Sequence, residues 1–153
     1  MKALTLLQPW ATLVAIGAKK IETRSFGTEY RGELLIHSSK KIPDWARKLC
    51  FESPFEERLR DAGYNTPESL PLGKILCSVY LWDVQDTRTV GRVATANELA
   101  FGDYSPGRHA WLFHGDPMVM TPPIDARGAL GLWEFDTGRL DPKIKWERKT
   151  ERI

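Results

Sequence analysis

The sequence predicts an α+β protein, mainly β, built on a small, strongly curved sheet or barrel with short helices at its flanks. Apolar runs of strand length recur along the chain between turn residues, and helical patterns are few and short. The stretches 74–92 and 106–136 lack the helical crossovers that a parallel α/β fold needs between its strands. With 153 residues and neither a repeat nor an internal linker, the chain has the size of one domain.

The first elements are a strand, a helix and an extended segment. KALTLL (2–7) is short and apolar, which fits a buried strand. PWATLVAIG (9–17) predicts a helix of about two turns, because Pro9 suits the first helical turn and Gly17 the C-terminal stop. The following KIETRSF is expected to be extended, since Ile, Thr and Phe favour strands.

The middle of the chain predicts a second strand, two short helices and a long strand. YRGELLIHSS (30–39) has the apolar run LLI at its centre. PDWARKLC (43–50) and PFEERLRDAG (54–63) each begin with a proline, which is typical of a helix start. After a proline-rich loop, KILCSVYLWDV (74–84) has apolar residues on both faces and therefore predicts a strand that is covered on both sides.

The last third predicts one helical turn and two further strands. TANELAF (95–101) shows a capping-box pattern at its start. A dense turn at 101–109 precedes a strand at 110–113. RGALGLWEFD (127–136) predicts the last strand, whose glycines permit tight curvature.

We expect a single domain over residues 1–136 and a basic C-terminal extension over 137–153. The extension holds six basic and three acidic residues and shows no apolar periodicity, so we expect loose packing. One hypothesis is that the protein is an adaptor and that this extension binds other proteins.

Composition limits the classes of function. Twenty-two basic against 20 acidic residues give a net charge of +2, short of the strong basicity of a dedicated duplex binder. The dinucleotide, P-loop, nucleophile-elbow and HExxH motifs are absent. Two cysteines without CxxC spacing and three dispersed histidines give no basis for a metal or another cofactor. Without a membrane-length apolar run or a signal cleavage site, we expect a cytoplasmic protein that is not in a membrane.

The segment GAKKIETRSF (17–26) has an unusual density of mixed charge directly after an apolar helix. Gly17, Lys19, Glu22 and Arg24 fit the spacing GxKxxExR. A carboxylate near Lys19 favours its charged form, which suits a phosphate or a base carbonyl. Glu22 can accept from an exocyclic amine such as that of cytosine, and Arg24 adds a forked donor for phosphate. The residues therefore favour recognition of a nucleic acid.

Six segments follow one another along the chain in the order of a known domain family. They are QPW (8–10), GAKKIETRSF (17–26), YRGELLIHSS (30–39), LGKILCSVYLWDV (72–84), RHAWLF (108–113) and ARGALGLW (126–133). Together they resemble the ASCH domain, named for its homology to activating signal cointegrator-1. The resemblance covers the chain from about Ala3 to Phe135, and implies a PUA-like β-barrel with flanking helices. It also implies that RNA, another single-stranded nucleic acid or a nucleoside binds in the cleft that carries GxKxxExR.

The resemblance also leaves an enzymatic alternative open. Some small bacterial relatives resemble amidohydrolases that deacylate N4-acetylcytidine with a Lys, a Thr and a Glu. The Lys matches Lys19, Glu22 stands in place of the Thr, and Glu98 is the one candidate for the Glu. A hydrolase of a modified nucleoside, or a ribonuclease that cleaves RNA phosphodiesters, would use Lys19 and Glu22 as oxyanion stabiliser and general base. In a third interpretation Glu22 only forms a structural salt bridge with Lys19 or Arg24.

We therefore predict a nucleic-acid-binding cleft in which Lys19 and Glu22 are also the candidate catalytic residues. Trp10 and Trp111 lie beside polar turns and are candidates for base stacking, with core packing as the alternative. The predicted binding residues are Gln8, Trp10, Lys19, Glu22, Arg24, His37, Ser38, Tyr104, Arg108 and Trp111.

Overall fold

The strands within residues 1–150 form one seven-stranded sheet that is curled into a half-barrel. The computed structural model describes these residues. The order across the sheet is β2-β5-β4-β3-β1-β6, and β7 pairs with β5. Neighbouring strands are antiparallel except for β1 and β3, which are parallel. The strands are β1 (Lys2–Leu6), β2 (Ile21–Arg24), β3 (Gly32–Ser38), β4 (Lys74–Asp86), β5 (His109–Asp125), β6 (Leu132–Glu134) and β7 (Lys145–Arg148).

Short helices connect the strands. Within residues 1–150, no helix is both long enough and apolar enough to cross a membrane. The α-helices are α1 (Trp10–Ala15), α2 (Asp44–Leu49), α3 (Phe55–Asp61), α4 (Thr87–Gly91) and α5 (Ala96–Ala100), and 3₁₀ turns occur at Pro67–Ser69 and Thr137–Arg139.

Both faces of the sheet are buried at its centre. On one face, Leu4 and Leu34 pack in the apolar cluster that contains Val14 of α1. On the other face, Ala3 and Leu35 belong to a second cluster. Adjacent residues of β1 and β3 therefore serve opposite faces, as the alternation of a strand requires. This double burial explains the continuous apolar runs in both strands.

A third apolar cluster holds the helices together beside the sheet. Leu13 of α1 packs with Phe55 and Leu59 of α3, with Cys50 after α2 and with Phe101 after α5. The helix α1 thus contacts the sheet with one side and the other helices with another. This arrangement places the ends of α2, α3 and α5 close to β2, at one edge of the sheet.

The predicted elements are present with two changes of length, and the structure adds the helix α4 and the strand β7, which the sequence patterns do not predict. β5 extends far beyond the predicted 110–113, because it continues pairing with β4 through several register shifts. Such bulges let one strand bend without losing its partner. β6 occupies only three residues of the predicted 127–136. In β4, the predicted burial on both sides holds for the first half only, since Tyr80 and Trp82 are about half exposed.

The segment after residue 136 contributes to the sheet. β7 pairs with β5, so that Trp146 lies opposite Met120. Leu140 and Ile144 pack against the apolar cluster that contains Met120. Residues 137–150 are therefore attached to the half-barrel, and residues 151–153 of the expected extension lie outside the described residues. The division at residue 136 stays a prediction.

Candidate functional site

A cavity of about 450 Å³ opens between β2, the helices and the loop that follows α5. This volume is within the range of pockets that bind small molecules. Trp10, Trp45 and Phe55 form its apolar wall, and residues 22–24 of β2 with Arg108 form its polar wall. We refer to it below as the first cavity.

A left-handed turn at the end of α1 directs the chain towards this cavity. Gly17 has a φ of 83°, a region that favours glycine. The amides of Ala18 and Lys19 both donate to the carbonyl of Leu13 at 3.0 Å, which closes the helix. The chain then enters β2 beside α5.

Lys19 lies behind the wall of the first cavity and does not line it. Its side chain is fully buried. Its Nζ donates to the carbonyl oxygens of Ile21 and of Phe101, the latter at 3.1 Å, and lies 3.5 Å from Oε1 of Glu22. Two N–H donors of the ammonium group thus bond to carbonyl oxygens, and the carboxylate of Glu22 provides the opposite charge. Lys19 therefore ties β2 to the end of α5 and supports Glu22 from behind.

Glu22 presents a carboxylate to the first cavity between two cations. Its Oε1 faces Lys19, and its Oε2 accepts from Nη1 of Arg24 at 3.2 Å. The same Nη1 lies 3.4 Å from the carbonyl oxygen of Thr5, and the guanidinium stacks on Phe26 at 5.3 Å. Each carboxylate oxygen keeps a further lone pair. Glu22 can therefore still accept a hydrogen bond from a ligand.

The apolar wall consists mainly of aromatic rings. Trp10 packs against Trp45 with ring centroids 5.7 Å apart, and against Phe55 at 6.0 Å. Trp45 is 58% exposed, so most of its indole is free to contact another molecule. An exposed indole beside a polar wall is a surface on which a base can stack.

Arg108 completes the polar wall from the loop after α5. Its Nη2 donates to the carbonyl of Thr23 at 3.2 Å, and its Nε donates to the carbonyl of Asp103 at 3.1 Å. Thr23 in turn accepts the amide of Asp103 at 2.9 Å. This network joins the loop to β2 and places a second guanidinium at the cavity, as the sequence predicted for a phosphate contact.

Glu98 and Tyr104 lie close to Glu22 but outside the lining. Glu98 is buried and accepts the amide of Lys20 at 2.7 Å. Burial, followed by the negative charges of Glu98 and Glu22, raises the pKa of Tyr104, which keeps its phenol neutral. A Cβ added at Gly102 would lie 2.9 Å from the Tyr104 ring. Tyr104 therefore packs under the loop at this position.

Three further residues of the predicted cleft have structural contacts instead. Gln8 is fully buried and bonds to the first turn of α1 and to a loop carbonyl. Trp111 is fully buried in the core, where its Nε1 donates to the carbonyl of Phe26 at 3.0 Å. Ser38 is also buried and bonds to the backbone N–H and C=O of Lys74 at 3.2 Å. None of the three lines the first cavity.

His37 lies at a second cavity of about 1100 Å³, which Thr5 of β1 also lines. Its Nε2 lies 2.7 Å from the carbonyl oxygen of Ala126, and only a protonated Nε2 can donate to that oxygen. Burial lowers the pKa of His37, so the ring is neutral and Nδ1 accepts from Thr5 Oγ1 at 3.0 Å. Thr5 Oγ1 itself accepts from Nε1 of Trp133 at 3.0 Å. His37 thus fixes the loop after β5 and is not part of the first cavity.

Sequence reasoning did not single out Trp45 and Thr23, which both line the first cavity. Trp45 and Leu49 form one stripe at i, i+4 on α2, beside the buried stripe of Ala46 and Cys50. This second apolar stripe on a six-residue helix is a signal that could have found Trp45. Thr23 gives no such signal, because strand alternation assigns it to the face opposite Glu22 and Arg24.

The described part of the chain offers no grouped metal ligands and no activated thiol. No three His, Cys, Asp or Glu side chains among residues 1–150 are grouped so that they could hold a metal ion. Cys50 and Cys77 are buried free thiols, and burial raises the pKa of both. Neither thiol has the electropositive, accessible surroundings of a reactive cysteine.

The curled half-barrel, with short helices beside the edge that carries the charged cleft, is a PUA-like domain. The model of the ASCH domain family matches residues 4–118, and this chain belongs to that family. The fold and the family predicted from the sequence are therefore confirmed.

Comparisons with individual proteins agree with this assignment. The chain is 34% identical over 80 residues to activating signal cointegrator 1 of Homo sapiens and of Mus musculus, a match that spans 52% of this chain and 14% of each relative. The crystal structure of ASCH from Zymomonas mobilis covers 90% of this chain and 88% of its own, with a TM-score of 0.53 and 16% identity. A mutant of that protein gives a TM-score of 0.52 at 15% identity, with 88% and 89% covered. At such identities the structures show a shared fold.

The buried position of Lys19 predicts a structural role that can be measured. We expect Lys19→Met to lower the free energy of unfolding by about 3–5 kcal/mol, because it removes one of the two cations at the buried carboxylate of Glu22 and the donor to two backbone carbonyls. Adding Glu22→Gln to this variant should restore part of the loss, since it removes the carboxylate that has lost its ammonium partner. Denaturant unfolding measures both changes.

The matched control for this experiment is the neighbouring Lys20→Met. Lys20 has a side chain that is 47% exposed and only a 3.8 Å contact to Asp116. We expect its substitution to change the free energy of unfolding by less than about 0.5 kcal/mol. A Lys19→Met protein as stable as the unaltered chain would contradict the structural role.

The buried, neutral His37 predicts a loss of stability in mild acid. Below about pH 6.5, His37 binds a proton more readily in the unfolded chain than in the folded chain. The free energy of unfolding therefore decreases as the pH decreases. The slope contributed by this one group is at most about 1.4 kcal/mol per pH unit. Unfolding measured between about pH 7 and pH 5 should show a smaller slope for His37→Gln than for the unaltered chain. Equal slopes in the unaltered and His37→Gln proteins would contradict this assignment.

Proposed function

We propose that this protein binds RNA or another single-stranded nucleic acid in the first cavity. The observation that carries the proposal is the combination, in one cavity of about 450 Å³, of an exposed indole, a carboxylate and two guanidinium groups. The family supports it, because ASCH domains are generally RNA-binding, PUA-like modules.

A base is expected to lie against the aromatic wall, with its edge towards Glu22. Stacking on Trp45 and Trp10 provides affinity that is largely independent of base identity. The carboxylate of Glu22 then selects for a base edge that carries an N–H donor, such as the amine of cytosine. Because Lys19 and Arg24 hold both oxygens of Glu22 in place, the acceptor is oriented before the ligand arrives.

The phosphate contacts at the first cavity are expected to be few. Arg24 and Arg108 are the two cations of its lining. Log affinity falls as the log of the salt concentration rises, and each phosphate contact with a single strand adds about 0.7 to the magnitude of this slope. The two arginines therefore contribute about 1.4. A slope equivalent to ten or more contacts would contradict this picture.

The hydrolase interpretation has less support than binding. A catalytic Lys19 would have to reach the substrate, yet its ammonium is buried outside the cavity lining, donates to two backbone carbonyls and forms an ion pair with Glu22. Glu22 is then the remaining candidate for a general base, and both of its oxygens already contact cations. The geometry thus supports recognition more than turnover.

Stacking on Trp45 predicts a specific loss of affinity. We expect Trp45→Ala to weaken binding of single-stranded RNA by about 1–3 kcal/mol, the usual contribution of one stacked base. Trp82→Ala is the matched control, because Trp82 is 50% exposed and lies outside the first cavity. Fluorescence anisotropy of a labelled RNA measures both. Equal losses for the two variants would contradict a base site at Trp45.

The same protein provides a test of catalysis. Incubated with N4-acetylcytidine or with end-labelled RNA, the unaltered chain is expected to release no cytidine and to leave the RNA intact. Glu22→Gln should weaken RNA binding, whereas Glu33→Gln, at an exposed position of β3, should not. Turnover by the unaltered chain that disappears in Glu22→Gln would replace the binding proposal with an enzymatic one.

A further inference from the structure

The first and second cavities adjoin at β1. Arg24, on the polar wall of the first cavity, donates to the carbonyl of Thr5 at 3.4 Å, and Thr5 lines the second cavity. Leu7, two residues further along, lines the first cavity. The pairing of β6 with β1 extends only to Leu4, opposite Leu132. The edge of β1 at Thr5 is therefore free of a neighbouring strand where the two cavities approach each other.

The loop at 126–131 forms a preformed wall of the second cavity. A Cβ added at Gly128 would lie 2.6 Å from Thr5 Oγ1 and 2.8 Å from His37 Cε1, so the backbone approaches β1 more closely than another residue type would allow. The bond from His37 to Ala126 holds the start of the same loop. Packing and hydrogen bonds together set the position of this wall.

The charges around the second cavity are mainly positive. Lys40, Arg127 and Arg139 line it together with one carboxylate, Asp125, which accepts from Lys74 Nζ at 2.5 Å. Within residues 1–150, neither Lys40 nor Arg127 forms an ion pair with a carboxylate, and both are exposed. Unpaired cations around a preformed cavity suit the phosphates of a nucleic-acid backbone.

We propose that the ligand is an oligonucleotide whose backbone passes from the first cavity, beside Arg24, into the second cavity, where Lys40 and Arg127 contact its phosphates. This inference rests on the proposed function of the first cavity. The second cavity, at about 1100 Å³, is larger than the first and lies at the upper end of the range for small-molecule sites. A free nucleoside has neither the phosphates nor the length to occupy both.

The test measures the binding of a long and a short ligand to the unaltered chain and to one double variant. The affinities for a single-stranded RNA of about eight nucleotides and for cytidine monophosphate are measured separately; this RNA length is within the range of about 4–16 nucleotides that one OB-fold covers. The unaltered full chain should bind the RNA more tightly. Lys40→Gln with Arg127→Gln should lower the salt slope for the RNA by about 1.4, for two lost contacts. The affinity for the monophosphate should stay within about twofold, because the changed residues lie outside the first cavity.

Arg60→Gln is the matched charge control, since Arg60 is an exposed residue of α3 that lines neither cavity. It should leave the RNA slope unchanged. An unchanged slope in the double variant, with Trp45→Ala still weakening RNA binding, would overturn this inference and leave the proposed function in place. Equal affinity of the unaltered chain for the RNA and the monophosphate would also overturn it. No binding of RNA by the unaltered chain would overturn both proposals.

Discussion

The candidate site depends on one buried ammonium group. Lys19 is enclosed between β2 and the end of α5, and burying such a charge is costly unless hydrogen bonds and an opposite charge compensate. Two backbone carbonyls and the carboxylate of Glu22 provide that compensation. The same contacts fix β2 against the helices and orient Glu22 towards the cavity. The geometry of the first cavity thus depends on a residue that does not line it.

The two walls of the first cavity come from different layers of the protein. The polar wall belongs mainly to β2, where Glu22 and Arg24 are held by backbone pairing with β5. The aromatic wall belongs to the helices, whose positions depend on the apolar cluster around Leu13 and Phe55. Because the two walls have separate supports, the strand fixes the geometry of the charged groups and the helices determine the width of the cavity. The loop with Arg108 joins the two layers through its bonds to β2.

The sequence predicted several residues that line the first cavity because their chemistry depends on short local patterns. The spacing GxKxxExR is short, and a strand places Glu22 and Arg24 on one face, so both were expected at the cleft and both line it. Lys19 comes before the strand begins, and the left-handed turn at Gly17 sends it behind the wall. Trp111 lies beside a polar turn in the sequence, but this position does not show whether its indole is exposed or buried. Only the packing of β5 against the rest of the barrel decides that this indole is buried.

The sequence by itself determined the family, the mainly β fold, most of the strands and helices, and the charged motif, because these depend on residue type, period and spacing along the chain. The tertiary structure alone decided which side chains share a cavity. It brought Trp45 to Glu22, moved His37 to a separate cavity, and placed Arg127 of the 126–131 loop near the edge of β1. Contacts between residues so far apart in the chain depend on how the sheet curls and how the helices pack, and no local pattern records that geometry.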